Sequence, residues 1–186
     1  MNLILVITYS IWFLSEILIN RFLRSKNTDK RNADKGSLYL IWIIIFISIF
    51  AAVFVSNKYY FPLSKDSNFV YIGIVLIFIG IILRLTIIAT LGQFFTVDVT
   101  IKQNHKLKRD GFFKYLRHPS YSASLLSFIG FGTTLNNWIS LALVTILILM
   151  AFIIRIKIEE RALIEHFGAE YLDYKKSTKG IIPFIY

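Results

Sequence analysis

The chain has 186 residues, of which 56% are hydrophobic, with no cysteine and a formal net charge of +10. This composition is too apolar for an ordinary soluble domain, and it excludes disulfides, a thiol nucleophile and a thiolate metal site. A nucleic-acid-binding surface is not expected, because the basic residues fall in short clusters between apolar runs. That pattern is typical of an integral membrane protein.

Five apolar runs predict an all-α, polytopic membrane helix bundle. Each run is near the length that crosses about 30 Å of hydrocarbon, the fourth only marginally. The runs are Leu3–Ile19, Leu38–Val55, Phe69–Leu91, Ser120–Thr134 and Trp138–Ile154. We expect one membrane domain, in which residues 1–68 supply two N-terminal helices and residues 69–186 the catalytic part. The segment from Arg155 to Tyr174 is predicted to extend the fifth helix into the cytoplasm, with Gly168 interrupting or closing it.

The distribution of basic residues predicts how the bundle is oriented. Lysine and arginine number six in the first loop, two in the second, six in the third, none in the Asn136-Asn137 turn and six in the tail. Because positive residues concentrate on the cytoplasmic side, the amino terminus is predicted to lie outside and the carboxyl terminus in the cytoplasm.

Two charges fall inside the apolar runs. Arg84 lies well within the third run, where a charge is costly and usually faces the bundle interior or a polar cavity. We expect it to have a functional or pairing role, although snorkelling towards the cytoplasmic boundary is an alternative. Glu16, which lies nearer an interface, receives no role.

A dense polar stretch, Gly111–Tyr121, separates the third and fourth runs. By itself it is compatible with a boundary segment, in which Arg117 snorkels, His118-Pro119 turns and Tyr121 joins an aromatic belt. No nucleotide-binding glycine motif, nucleophile elbow or metal-ligand histidine spacing occurs elsewhere, so no metal site is expected. The remaining candidates form a predicted cytoplasm-facing polar cluster: Arg84, Gln93, Arg117, His118, Tyr121, Glu159, Glu160, Tyr171 and Tyr174.

The order of these motifs resembles the isoprenylcysteine carboxyl methyltransferase family. The stretch Gly111-x-Phe113-x-x-x-Arg117-His118-Pro119-x-Tyr121 is similar to that family's G-x-Y-x-x-x-R-H-P-x-Y-x-G signature. Further similar elements lie on both sides of it: Leu83-Arg84, Leu91-Gly92-x-Phe94-Phe95, Glu159-Glu160-x-x-Leu163, Phe167-Gly168-x-x-Tyr171-x-x-Tyr174 and Pro183. Three positions depart from the pattern, with Phe112 for proline, Phe113 for tyrosine and Ala123 for glycine.

The resemblance implies an S-adenosylmethionine-dependent methyltransferase whose cofactor site a cytoplasmic C-terminal helix completes. It implies that Arg117 or Arg84 orients an acceptor carboxylate, and Glu159 is a further catalytic candidate. It assigns cofactor contacts to six residues: His118, Tyr121, Glu159, Glu160, Gln93 and Tyr171.

A site at the membrane boundary predicts an amphiphilic acceptor, with a lipid tail in the bilayer and a carboxylate or acidic hydroxyl at the cytoplasmic edge. A prenylcysteine, a lipid acid or enol, and a phospholipid amine all satisfy that description. Two alternatives remain open. One is an NADPH-dependent reductase of sterol-reductase type, with Lys102, Lys106 and Lys108 at the 2′-phosphate; the other is a non-catalytic membrane scaffold or transporter.

Overall fold

The computed structural model describes residues 2–23, 36–92, 95, 97 and 107–182. These residues form α-helices and connecting segments, in agreement with the predicted all-α fold. The α-helices are α1 (Leu3–Phe22), α2 (Ser37–Lys58), α3 (Phe69–Leu91), α4 (Pro119–Thr134), α5 (Trp138–Phe167) and α6 (Ala169–Ser177). A short 3₁₀ helix, Gly111–Lys114, precedes α4.

Local sequence signals explain where the helices of the carboxyl-terminal half begin and end. Pro119 occupies the first turn of α4, where its missing N–H costs nothing. The Asn137 side chain accepts hydrogen bonds from two N–H groups in the first turn of α5. Helix α5 then continues without a break to Phe167, and Gly168, with φ of 55°, separates it from α6. The predicted extension of the fifth helix and its interruption at Gly168 are therefore confirmed.

Four of the described helices, α1, α2, α3 and α5, are long and apolar enough to cross a membrane. Helix α4, which corresponds to the fourth predicted span, has 16 residues and a length of about 24 Å. Most of its residues are buried, whereas few residues of α1 and α2 are buried. The five predicted spans thus comprise four helices of full length and one shorter helix enclosed by the bundle.

Small residues bring α3 and α4 into close antiparallel contact. A Cβ atom added at Gly80 would lie 2.2 Å from the Oγ of Ser127, and one added at Gly73 would lie 2.6 Å from the carbonyl oxygen of Gly130. Such close approach of backbones is typical of membrane helix pairs with small residues at the interface. It places Arg84 of α3 beside Ser120 at the start of α4.

The two N-terminal helices pack on different partners. Helix α1 contacts α3, and α2 contacts α5, while no comparably extensive contact between α1 and α2 is found among the described residues. Both α1 and α3 end on the same side, because the N–H of Val97 donates to the carbonyl of Leu23 at 3.1 Å. A cleft therefore separates α1 from α2 and leads towards α4 and α5.

Candidate functional site

The Arg117-His118-Pro119 segment is held in place by the end of the chain. The N–H of Arg117 donates to the carbonyl of Lys179 at 2.8 Å, and the N–H of His118 donates to that of Gly180 at 3.0 Å. In addition, the hydroxyl of Tyr174 in α6 donates to the carbonyl of Phe113 at 2.6 Å. Helix α6 and the segment after it therefore fix the polar stretch that precedes α4.

Glu160 joins this segment to α5. Its Oε1 accepts from the Nε of Arg117 at 2.7 Å and lies 3.3 Å from the Nε2 of His118, while its Oε2 lies 2.5 Å from the Nζ of Lys175. The Nη1 of Arg117 donates to two carbonyls, those of Lys175 and Thr178. Glu160 is buried, so this network of hydrogen-bonded charges is a strong link between α4, α5 and α6.

Glu159 points in a different direction from Glu160, towards the interior of the site. Its Oε2 accepts from the hydroxyl of Tyr121 at 3.2 Å and lies 3.8 Å from the Nδ1 of His118. One third of the Glu159 side chain is exposed, compared with 8% of the Glu160 side chain. Glu159 therefore presents acceptor oxygens to a ligand, whereas the oxygens of Glu160 are already bound within the protein.

Arg84 lies on the other side of the same region and pairs with Glu16. Its Nε lies 2.8 Å from one Glu16 oxygen, and its Nη2 donates to the other at 3.1 Å. Its Nη1 donates to the carbonyl and hydroxyl oxygens of Ser120, at 3.2 and 3.0 Å. The expectation of a pairing role for Arg84 is confirmed, and its partner is Glu16, which was assigned no role above.

These side chains surround one cavity of about 230 Å³. Seven of the nine residues of the predicted polar cluster line it: Arg84, Arg117, His118, Tyr121, Glu159, Tyr171 and Tyr174. Glu160 is not among the lining residues, and Gln93 lies outside the described residues. The cavity continues from this polar end into the cleft between α1 and α2, where its wall is apolar and aromatic: Trp12, Phe13, Ile41, Trp42, Ile45, Phe46, Ile49, Phe128 and Phe152.

Two buried hydroxyls on the cavity wall have no hydrogen-bond partner within the described part of the chain. They belong to Tyr171 of α6 and Ser124 of α4. Burial raises the pKa of Tyr171 well above its usual value of 10, and burial raises the pKa of Tyr174 to about 12. Both phenols are therefore neutral donors at physiological pH, and the hydroxyl of Tyr171 is available to a ligand.

Sequence reasoning missed several residues of the cavity. Glu16, Ser124 and Arg155 line it, and Arg155 donates to the Oγ of Ser37 and to the carbonyl of Val97. Glu16 and Arg84 could have been paired from the sequence, because each lies six or seven residues before the end of its apolar helix. Ser124 carried no such signal, since a serine in a membrane helix ordinarily bonds its own backbone.

Comparison of the sequence with known proteins shows which family it resembles. The family model described as "Isoprenylcysteine carboxyl methyltransferase (ICMT) family" matches residues 72–165. A protein-S-isoprenylcysteine O-methyltransferase B of Arabidopsis thaliana is 33% identical over 71% of this chain and 68% of its own length. A probable protein-S-isoprenylcysteine O-methyltransferase of Oryza sativa subsp. indica is 31% identical over 84% of each chain.

The fold is also similar to a solved structure. That protein is a eukaryotic intramembrane Ras methyltransferase, named isoprenylcysteine carboxyl methyltransferase. The TM-score is 0.63 at 28% identity, over 97% of this chain and 63% of the solved one. The similarity therefore includes α1 and α2, which carry no sequence motif.

Proposed function

The chain belongs to the isoprenylcysteine carboxyl methyltransferase family, and from this premise we propose that it methylates a carboxylate of a lipid-like acceptor with S-adenosylmethionine as methyl donor. A prenylcysteine carboxylate, the group in the names of its relatives, is the acceptor that we propose first. The family favours this reaction over the NADPH-dependent reductase and the non-catalytic scaffold.

The observation that carries the proposal is the two-part wall of the cavity. Its polar end contains Arg84, His118, Tyr121 and Glu159, and its other end is the apolar cleft between α1 and α2. An acceptor with a carboxylate and a prenyl chain has the same division, because the chain gains by leaving water and the carboxylate requires hydrogen-bond donors. An amphiphilic acceptor therefore fits both ends at once.

The polar end also suits the methyl donor. S-adenosylmethionine carries an ammonium group, ribose hydroxyls and an adenine, which require both acceptors and donors. Glu159 supplies a partly exposed carboxylate, and Tyr121 and His118 lie beside it. The buried Tyr171 hydroxyl supplies a donor with no partner among the described residues. We propose that these four residues hold the methyl donor. We also propose that Glu160, which does not line the cavity, positions Arg117 and His118 through its hydrogen bonds to them.

The reaction requires no proton transfer to or from the protein. When bound, S-adenosylmethionine supplies a methyl group on a sulfonium: an acceptor oxygen bonds to the methyl carbon while the carbon–sulfur bond breaks, and the electron pair stays on sulfur to give a thioether and an ester. A carboxylate has an unperturbed pKa of about 4, so it is already ionised and needs no general base. The residues of the cavity therefore act by aligning the reactants and excluding water.

Of the two candidate arginines, we propose that Arg84 holds the acceptor. The Arg117 guanidinium is bound to Glu160 and to two carbonyls at the carboxyl-terminal end of α6, which makes it part of the scaffold of the site. Arg84 lines the polar end and pairs with Glu16, which lies one helical turn from Trp12 of the apolar cleft, so the carboxylate of an acceptor with its chain in the cleft would lie near Arg84.

Binding of S-adenosylmethionine to the detergent-solubilised protein, measured by calorimetry, tests the proposal. We expect saturable binding, no binding of NADPH, and weaker binding by Tyr121→Phe, which removes the donor next to Glu159. Tyr9→Phe is the matched control, because its hydroxyl also makes one hydrogen bond, to Thr134, but does not line the cavity. Binding of NADPH without S-adenosylmethionine would instead establish the reductase.

A measurement of methyl transfer is the second test of the proposed function. Radiolabelled methyl transfer to N-acetyl-S-farnesylcysteine is expected, and esterification can be confirmed by base-labile release of methanol. Transfer to other lipid acids but not to the prenylcysteine would keep the methyltransferase and change the acceptor. A folded protein that binds the donor and methylates no lipid carboxylate would contradict the proposal.

A further inference from the structure

The Glu16–Arg84 pair is a charged pair within two membrane-spanning helices, and the motifs of the family do not include Glu16. The side chains are 19% and 15% exposed, and both line the cavity. Removing two charges from water is costly even when they pair, so a pair in this position is weak as a stabilising device. Its position on the cavity wall instead indicates a role in the binding of a ligand.

The Nε/Nη2 edge of the Arg84 guanidinium is occupied by the Glu16 carboxylate in this structure. A guanidinium binds a carboxylate best with two parallel N–H groups, and the Nε/Nη2 edge of Arg84 already faces both oxygens of Glu16. The remaining nitrogen, Nη1, donates to Ser120. An acceptor carboxylate that is to be held by the Nε/Nη2 edge must therefore take the place of Glu16.

We propose that Glu16 is a placeholder for the acceptor carboxylate, and that the acceptor displaces Glu16 from Arg84 when it binds. This inference rests on the proposed function. Arg84 is then neutralised in every state: by Glu16 in the empty site, by the acceptor in the complex, and by Glu16 again after methylation, because the ester product is uncharged. The exchange avoids an unpaired buried arginine, which would be strongly unfavourable.

The surroundings of Glu16 allow it to move. Arg84 supplies every side-chain contact of the Glu16 carboxylate recorded among the described residues. The nearby Asn20 side chain donates to the backbone carbonyl of Glu16 and leaves the carboxylate free to rotate. Helix α1 packs mainly on α3, and the cavity beside Glu16 provides the space for a change of rotamer.

Placeholder and positioning roles predict opposite effects of Glu16→Gln. If Glu16 competes with the acceptor, its neutral replacement leaves Arg84 to the acceptor and tightens carboxylate binding. If Glu16 instead orients Arg84 for the acceptor, the same substitution weakens binding. The ester, which cannot replace Glu16, is insensitive to a competing carboxylate.

The experiment measures the dissociation constants of N-acetyl-S-farnesylcysteine and of its methyl ester by tryptophan fluorescence in detergent. Trp12 and Trp42 line the cavity, so occupancy is read without turnover. In Glu16→Gln we expect the carboxylate to bind roughly tenfold more tightly and the ester to change less than about twofold, since one charged hydrogen-bonding group stops competing. Adding Arg84→Lys to Glu16→Gln is expected to abolish the tighter carboxylate binding, because a lysine ammonium cannot present two parallel N–H groups to a carboxylate.

Ser15→Ala is the matched control, since it removes a polar group of α1 next to Glu16 that does not line the cavity. Weaker carboxylate binding by a folded Glu16→Gln, or an equal change for acid and ester, would overturn the placeholder. In those cases wild-type turnover still supports the proposed function. Wild-type protein that is folded, binds neither ligand and makes no ester would overturn both.

Discussion

Tyr171 and Tyr174 are neighbouring tyrosines of α6 whose hydroxyls have different surroundings. The hydroxyl of Tyr174 donates to the carbonyl of Phe113, whereas that of Tyr171 is buried at the cavity without a partner among the described residues. We predict that Tyr171→Phe leaves the melting temperature unchanged or raises it and weakens S-adenosylmethionine binding, because only the ligand uses this hydroxyl. Tyr174→Phe is expected to lose about 1 kcal/mol of stability and to retain the affinity.

Calorimetric affinities and thermal melts of the two variants test whether Tyr171→Phe loses donor binding and Tyr174→Phe loses stability. Each variant is the control of the other, since both remove one oxygen from a buried ring of the same helix. A Tyr171→Phe protein that melts lower and binds the donor normally would show that the hydroxyl serves the fold and not the ligand.

We expect Glu160 to stabilise the fold, because both of its carboxylate oxygens already have partners within the protein. We predict that Glu160→Ala destabilises the protein by about 3 kcal/mol, since it leaves the buried Arg117 guanidinium without its counter-ion. Lys175→Ala is expected to cost less than about 1 kcal/mol, because 42% of the Lys175 side chain is exposed to solvent. Thermal melts in detergent measure both effects.

The exposed Glu165, on the same helix, supplies the control substitution Glu165→Ala. If Glu160→Ala melted like this control while donor binding disappeared, Glu160 would be a direct ligand of the methyl donor, as the sequence resemblance implies.

At the level of single residues, the sequence predicted which residues meet around the cavity, but not the direction in which each side chain points. Glu159 and Glu160 are adjacent in one motif, but consecutive helical residues point about 100° apart, so one faces the cavity and the other the α4–α6 junction. The distinction depends on how α5 is rotated about its axis. Glu16 and Arg84 lie at similar depths in their helices, which suggests a pair, but their contact depends on the packing of α1 on α3, which no local pattern shows.

The hairpin of α3 and α4 carries both arginines, and its tight packing sets the distance between the elements around the cavity. We predict that Gly80→Ala destabilises the protein by about 1–3 kcal/mol and lowers methyl transfer, since the new methyl group would meet Ser127 Oγ and the Ala123 carbonyl and force the helices apart. Gly80 lies one turn from Arg84, so the displacement would reach the Arg84–Ser120 contact.

Ala89→Val is the control for the hairpin, because it adds bulk to the exposed side of the same helix. Thermal melts and methyl transfer by the two variants are compared. Gly80→Ala with normal stability and activity would mean that the helix pair can separate without disturbing the site.

The helices themselves were predictable, because length, apolar runs and caps are local properties. The bounds of α3 were predicted to the residue, and those of α4 to within one residue at its start. Which helices touch was not predictable, since α1 and α2 are apolar on almost every side and lipid satisfies such a surface as well as protein does. Only the three-dimensional arrangement shows that these two helices, which carry no motif, form the apolar wall of the cavity.

For the molecule as a whole, the cavity implies a direction of approach. Its apolar end lies between α1 and α2, which have no extensive contact with each other among the described residues, and its polar end lies under α6 and the end of the chain. A lipid-like acceptor would therefore enter from the bilayer, while the water-soluble methyl donor would enter from the side of α6. One cavity thereby connects a substrate dissolved in lipid with a substrate dissolved in water.

This division requires that α6 face the compartment that contains the methyl donor, which is the cytoplasm. The excess of lysine and arginine on the loops at that end predicts the same orientation. Because the chain has no cysteine, single-cysteine variants can be labelled without background. We predict that Ser67→Cys, in the exposed turn before α3, reacts with a membrane-impermeant maleimide in intact cells, and that Lys176→Cys in α6 reacts only after permeabilisation. The reverse pattern would place the polar end of the cavity outside the cell, where the proposed methyl donor would have to be supplied by export, and would therefore count against S-adenosylmethionine as well as against the orientation.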